Sequence, residues 1–305
     1  MVSSIEVRSS YVAHAGSTSP AAGSHRLSRS PAATAEGGVE WTLKITPVVS
    51  RHMSFSVTVL GTATPYPLPG RACSGYLLAA GDTRVWVDAG PGSLANLQRH
   101  TSLPQLDAIW ISHLHVDHCA DLLGAFYALA YGGLEVAAPI PLYAPAGLLG
   151  RLAGFFDRPD MTDRLAPHLA LHELHDGHRV TLGGLELQAA AVQHDIEAYG
   201  LRAEHAGAAL AFSGDTGPCA PLDALAHGAD LLLCEAESDR WDSDAPQGHH
   251  TPEDTGALAA RARVGRLLVT HVGPTLTPET ATARAAAVFG GPTECARENE
   301  TYVVR

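Results

Sequence analysis

The stretch LDAIWISHLHVDHCAD, residues 106–121, decides how the rest of the chain is read. It sets His113, His115, Asp117 and His118 within six residues, directly after an apolar run over residues 108–112 that reads as a buried strand. Alternate residues of an extended segment share a face, so His113 and His115 point the same way, while Asp117 and His118 fall on the turn into a helix expected over residues 119–131. Three imidazoles and a carboxylate at a strand end can converge on one point, and they are donors that divalent cations accept. The plain alternative is a histidine-rich surface loop, since the chain carries 17 histidines. A loop of that kind requires neither the strand nor the carboxylate at this spacing.

Working outward, 305 residues with 46% hydrophobic and 17% charged side chains suffice for one large domain with a substantial core. The formal net charge is -12, and it is uneven: residues 1–51 carry five basic and three acidic side chains, the remainder 15 and 29. Such an acidic body repels an extended nucleic acid, and a small-molecule substrate is expected instead. The single lysine is Lys44, a compositional bias with no functional message. Cys73, Cys119, Cys219, Cys234 and Cys295 are scattered and form no Cys-x-x-Cys pair, so a reducing cytoplasm is the expected home. No apolar run reaches the length of a membrane helix, which predicts a soluble protein that does not engage a membrane.

Residues 1–52 are rich in Ser, Ala, Gly and Pro without sustained hydrophobic period, and read as a disordered extension or a start assigned too early, with Met53 opening the domain over 53–305. A targeting peptide is the rival reading of this segment. From Phe55 three strands form a meander, the second and third joined at Gly81-Asp82, and Asp88 closes the third before Ala89-Gly90-Pro91-Gly92. A carboxylate there can orient a ligand loop from behind. After the histidine cluster come a strand in PIPLYAP, a helix over 146–156, and the strands ALHEL and HRVTL, read as a hairpin turning at Asp176-Gly177. His168, His172, His175 and His178 flank those turn signals without a carboxylate or thiolate at ligand spacing, and read as a solvated hairpin. Further strands deliver His194, Asp215 and His271 at their ends, and helices are expected over 221–227, 251–263 and 278–289, the second capped by Thr251 with Asp254. Two mixed sheets face to face with helices outside would bury both sets of strands.

HLHVDH fits the H-x-H-x-D-H signature of the metallo-β-lactamase superfamily, which the chain resembles from residue 53 to its end. Asp88 in VDAG, His194, Asp215 in SGDT and His271 in THVGP match the superfamily's other motifs in order. The resemblance implies a four-layer αββα sandwich with a dinuclear site for two divalent metal ions, usually Zn2+, with Mn2+ or Fe2+ as alternatives. On that reading His113, His115 and His194 hold one ion, Asp117, His118 and His271 the other, and Asp215 bridges them. A finer resemblance, carried by LGTATPYPLPGR, HDIEAYGLR and HHTPEDTG, is to the ribonuclease Z-like phosphodiesterase branch, which includes bacterial cyclic-AMP phosphodiesterases. It places His249 in the branch's catalytic position. Ala63 departs from the branch's usual glycine, and the 20 residues between His194 and Asp215 leave no room for a tRNA-gripping arm.

Two such ions would present a hydroxide as nucleophile at neutral pH, with Asp117 orienting it and His249 protonating the departing oxygen. His250 is a surface or substrate contact in this reading, Cys119 and Cys219 are packing residues, and Ser93 and Ser213 lack triad partners. The expected function is therefore a metal-dependent hydrolase, a phosphodiesterase on a small diester such as a 3',5'-cyclic nucleotide. A tRNA 3' endonuclease, a lactone, thioester or β-lactam hydrolase on the same fold, and a non-catalytic metal-binding protein are the competing readings. The apolar helix near residues 122–131 makes a homodimer an expectation.

Overall fold

Two seven-stranded sheets carry the described chain. The computed structural model describes residues 31–33, 39–41, 54–241 and 246–305. The chain divides into two units, Met1–Val48 and Val49–Arg305. Of the first, the strands β1 (Pro31–Ala33) and β2 (Val39–Trp41) are described, paired antiparallel. The expectation of disorder or a late start over 1–52 falls otherwise outside the described residues.

In the second unit, the first sheet runs β16 (Thr301–Val303), β3 (Phe55–Gly61), β4 (Gly75–Ala80), β5 (Thr83–Ala89), β6 (Ala108–Trp110), β7 (Ile140–Ala144) and β8 (Leu169–Glu173). The meander β3-β4-β5 is antiparallel as its turns predict, and β5 to β8 are parallel. The second sheet runs β15 (Thr293–Cys295), β14 (Arg266–Val272), β13 (Leu231–Ala236), β12 (Ala208–Phe212), β11 (Tyr199–His205), β10 (Leu185–Ala191) and β9 (Arg179–Leu182). It is parallel from β15 to β12 and antiparallel beyond.

The period of two along the strands sorts side chains into three cores. Val85, Val87 and Leu78 of the first sheet pack with Leu187, Leu201, Leu210 and Leu268 of the second, forming the layer between sheets. Trp86 and Ile109 point the other way, onto α3 (Asp121–Tyr131) and α4 (Leu148–Phe156) through Leu122, Phe126, Leu148 and Leu152. Leu232, Leu267 and Val269 meet α6 (Ala220–Ala226), α7 (Pro252–Ala262) and α8 (Pro278–Phe289) through Leu222, Leu258 and Ala285. Each fully buried Leu or Val contributes roughly 1.5–3 kcal/mol, so the outer layers are as necessary to the sandwich as the inner one. This is the expected αββα architecture, two mixed sheets flanked by helices.

Local differences have physical causes. ALHEL and HRVTL are not a hairpin: β8 edges the first sheet and β9 the second, and the chain crosses between them at Asp176-Gly177. Gly177 takes φ 74° there, and the Asp176 side chain accepts a hydrogen bond from Ala191 N at 2.9 Å, tying the crossing to β10. The helix expected from residue 119 starts earlier, as α2 (Val116–Cys119), so Asp117 and His118 are helical and the motif is itself the helix start. The helix after Gly92 is short, α1 (Ser93–Leu97). A short helix, α5 (Met161–Leu165), lies in a stretch whose sequence gave no periodic signal. Among the described residues no helix is long and apolar enough to cross a membrane.

Candidate metal centre

The candidate donors gather where strands of both sheets end. His113 and His115 follow β6, and Asp117 and His118 lie on α2. His194 follows β10, Asp215 follows β12, and His271 lies near the end of β14. Backbone shape brings them close. A Cβ on Gly90 would come within 2.0 Å of the Asp117 carbonyl oxygen, so only glycine lets the VDAG turn pass beneath α2. Gly214 takes φ 60° to aim Asp215, and both Asp88 (φ 55°) and His271 (φ 46°) hold left-handed conformations that side chains other than glycine rarely adopt.

The donor atoms outline two adjoining pockets. In one, His115 Nδ1 lies 3.1 Å from both His113 Nε2 and His194 Nε2, and Asp215 Oδ2 is 3.6 Å from His113 Nε2. In the other, His118 Nε2 lies 3.0 Å from His271 Nε2 and 3.1 Å from Asp215 Oδ2, while Asp117 Oδ2 is 3.5 Å from His271 Nε2 and 3.7 Å from His118 Nε2. Donors bound tetrahedrally at the usual zinc distances stand roughly 3.3–3.5 Å apart. The observed separations of 3.0–3.7 Å are close to such edges, and imidazole nitrogens that face one another across 3.0–3.1 Å can share a cation in place of a proton. Residues and spacing fit divalent metal in both pockets, with Asp215 common to the two.

The atoms behind the donors fix which nitrogen faces inward. Asp88 is fully buried; its Oδ2 accepts from His118 Nδ1 at 2.7 Å and from Ser112 Oγ at 2.9 Å, and its Oδ1 from Ser112 N at 2.8 Å. His194 Nδ1 donates to the Gly248 carbonyl at 2.9 Å, and Thr64 Oγ1 donates to Asp117 Oδ2 at 3.2 Å. His271 has no such support, since its Nδ1 is buried without a partner among the described residues.

Electrostatics separates the pockets. Burial holds His113 well below the ordinary histidine range and lowers His115. Burial acts the same way on His118 and His271, but there carboxylates outweigh it, Asp215 and Asp88 for the first and Asp215 and Asp117 for the second, and both are raised. Asp215 is in turn held well below the carboxylate range against its burial, chiefly by His118 and His271, and Asp117 is lowered in the same way by His271 and His118. The Asp117/Asp215 side thus attracts positive charge, which a cation supplies in place of protons.

His249 sits at the rim, with a ring nitrogen within 4.8 Å of donor atoms of His194 and Asp215. Its Nδ1 donates to Glu235 Oε1 at 3.0 Å, and its Nε2 lies 2.9 Å from Glu237 Oε2. Although burial opposes it, the Glu235 carboxylate pushes His249 up to about 12. Glu235 is buried in β13 and also accepts from Thr216 N at 2.7 Å and Glu237 N at 3.1 Å. Thr251 caps α7 through Asp254 as its spacing predicts, which places His249 just ahead of a rigid helix start.

Three residues at the centre were not visible from the sequence: Glu235, Glu237, and Asp195, whose Oδ1 is 3.1 Å from His194 Nε2. A carboxylate inside the apolar strand ADLLLCE is a signal in hindsight, because a buried charge requires a partner. His250 is not a surface residue. It is buried, and its Nδ1 donates to the Thr216 carbonyl at 2.6 Å. Cys119 and Cys219 pack in the outer cores as expected, and Ser213 Oγ is spent on the Gly214 carbonyl and Glu235 N. His168, His172, His175 and His178 join no candidate metal cluster among the described residues.

Residues 83–272 match the β-lactamase superfamily domain. The chain is 37% identical over 257 residues to an uncharacterized protein of Mycobacterium tuberculosis, covering 83% of this chain and 93% of that one. It is 33% identical over 259 residues to a ribonuclease Z of Mycobacterium sp. (strain KMS), covering 76% and 90%. Its fold superposes on the metallo-β-lactamase fold protein YhfI of Bacillus subtilis with TM-score 0.72 at 24% identity, over 82% of this chain and 99% of that one. The chain belongs to the metallo-β-lactamase superfamily and is one of its metal-dependent hydrolases.

Proposed function

We propose that this hydrolase is a phosphodiesterase acting on a small diester, with 3',5'-cyclic nucleotides as its substrate class. The observation that carries the reading is His249, a proton donor held by buried Glu235 at the rim of the donor cluster. One divalent cation would be held by His113, His115 and His194, the other by Asp117, His118 and His271, with Asp215 between, and we assign both as zinc. Bound there, the cations supply an activated water and neutralise the charge of the diester. Asp117 orients the attacking water. Water adds to phosphorus and gives up one proton, the bond from phosphorus to the departing oxygen breaks, and the proton on His249 Nε2 passes to that oxygen, leaving a phosphate monoester and an alcohol; the proton given up by water restores His249. The five cysteines, all unpaired, fit a cytoplasmic setting.

The ribonuclease Z relative supports phosphodiester chemistry and keeps tRNA 3' processing as a second reading. Against it, the chain from His194 to Asp215 holds one short loop and the hairpin β11-β12, and the net charge is -12. The test is turnover of 3',5'-cyclic AMP, a precursor tRNA and an aryl phosphodiester by metal-loaded protein, beside His249→Ala. Cyclic AMP cleavage that falls roughly 10²- to 10⁴-fold in the variant, with metal content unchanged, supports the reading. Cleavage of the precursor tRNA alone overturns it.

A further inference from the structure

Glu237 is in no candidate metal cluster among the described residues, and it pairs with His249 on the ring nitrogen that Glu235 leaves free. With Nδ1 of His249 committed to Glu235, the proton for the leaving group is on Nε2, and Glu237 Oε2 stands 2.9 Å from that atom. The Glu237 side chain is 21% exposed, open on one side. It is also anchored. Its N–H donates to Glu235 Oε2 at 3.1 Å, and its carbonyl packs so tightly on Gly273 that a Cβ there would come within 2.1 Å. Two residues on, Asp239 is gripped by Arg284, which also binds both carboxylate oxygens of Glu253 at 2.7 and 2.8 Å.

A carboxylate on an anchored backbone here is a poor neighbour for a phosphodiester, since like charges repel. It is useful if the departing group brings a second hydroxyl. In a ribose, the hydroxyl on the carbon beside the departing 3'-oxygen lies within hydrogen-bond length of that oxygen, so an oxygen placed to receive the Nε2 proton puts its neighbour beside Glu237. We propose that Glu237 accepts a hydrogen bond from the 2'-hydroxyl of a cyclic ribonucleotide, selecting ribose over 2'-deoxyribose diesters. In turning to that hydroxyl it frees the Nε2 proton for the departing oxygen. A substrate without the hydroxyl leaves Glu237 clasped on His249 and loses rate as well as binding. This inference rests on the cyclic-nucleotide reading above.

The test uses full-length, metal-loaded protein with 3',5'-cyclic AMP, its 2'-deoxy counterpart and bis(4-nitrophenyl) phosphate, comparing wild type, Glu237→Ala and Glu237→Gln. The wild type should favour the ribose substrate roughly 10- to 100-fold in kcat/KM, with part of the difference in kcat. Glu237→Ala should reduce the preference to about threefold or less, chiefly by turning over the deoxy substrate faster than wild type does. Glu237→Gln keeps an acceptor oxygen and should retain part of the preference. An unchanged preference in Glu237→Ala, no preference in wild type, or uniform loss on all three substrates in a folded, metal-replete variant overturns the proposal while leaving the phosphodiesterase reading standing. Turnover of the aryl diester with neither cyclic nucleotide cleaved overturns both the cyclic-nucleotide reading and this one.

Discussion

The wall that the first sheet contributes to the centre takes four candidate donors, His113, His115, Asp117 and His118, from a single strand end and the helix start after it. The wall contributed by the second sheet collects His194, Asp215, Glu235 and His271 singly, from β10, β12, β13 and β14. A contiguous motif places its donors by local geometry, and Asp88 needs only to lock it from behind. A dispersed wall depends on the register of several strands, and that separation gives room for a second duty: Glu235 and His249 handle a proton beside donors that hold a charge. On the proposed reading the first wall is a cation holder, and the second is a cation holder joined to an acid.

If that division is right, substitutions behind the two walls fail in different ways. The largest effect is expected at the first. Asp88→Asn replaces a carboxylate that accepts from His118 Nδ1, Ser112 N and Ser112 Oγ with a neutral amide whose one oxygen cannot serve all three donors. Metal affinity should fall roughly 10- to 100-fold, and activity with it, recovering in excess metal. Metal titration followed calorimetrically and by activity would show this, and a variant that binds metal as tightly as wild type would break the comparison.

Behind the second wall, Glu235→Gln should leave metal content nearly unchanged and move the pH profile instead. In its proposed role as an acid, His249 is competent only while protonated, below its own pKa. Glu235 pushes that value up to about 12, so in the wild type no alkaline loss of activity near neutrality comes from His249. With a neutral amide at that position the value falls back toward the ordinary histidine range, and a descending alkaline limb should enter the profile of kcat at lower pH. A profile that keeps its shape while its height drops would show that His249 is not the acid.

The same division explains what could be read from the sequence. HLHVDH announces its own geometry, because a two-residue repeat on a strand followed by a helix start fixes where four side chains point. His194, Asp215 and His271 are legible only as polar residues ending apolar strands, and their convergence follows from the resemblance to a known fold. Glu235 is hidden inside β13 because a strand's apolar pattern tolerates one buried carboxylate whose partners, Thr216 N and His249 Nδ1, lie 19 and 14 residues away in sequence. The Asp176-Gly177 turn is misleading for a related reason. Turn residues record a reversal of the chain, and whether the two strands then pair or pass to opposite sheets is decided by packing they do not encode.

The smallest effect tests whether the second wall relies on its helix start. Thr251 Oγ1 accepts from Asp254 N at 3.2 Å, Asp254 Oδ2 accepts from Thr251 N at 3.1 Å, and Pro252 opens the first turn of α7. Thr251→Ala should cost about 1 kcal/mol, a fall in Tm of about 2 °C for a domain of this size. His249 lies two residues ahead of the cap, but its ring is fixed by Glu235 and Glu237 rather than by Thr251, so kcat should change less than threefold, about 0.6 kcal/mol by the usual conversion. A loss in kcat as large as that of Glu235→Gln would mean that α7, and not the carboxylate pair, holds the acid in place, and the second wall would then depend on its helix as the first depends on α2.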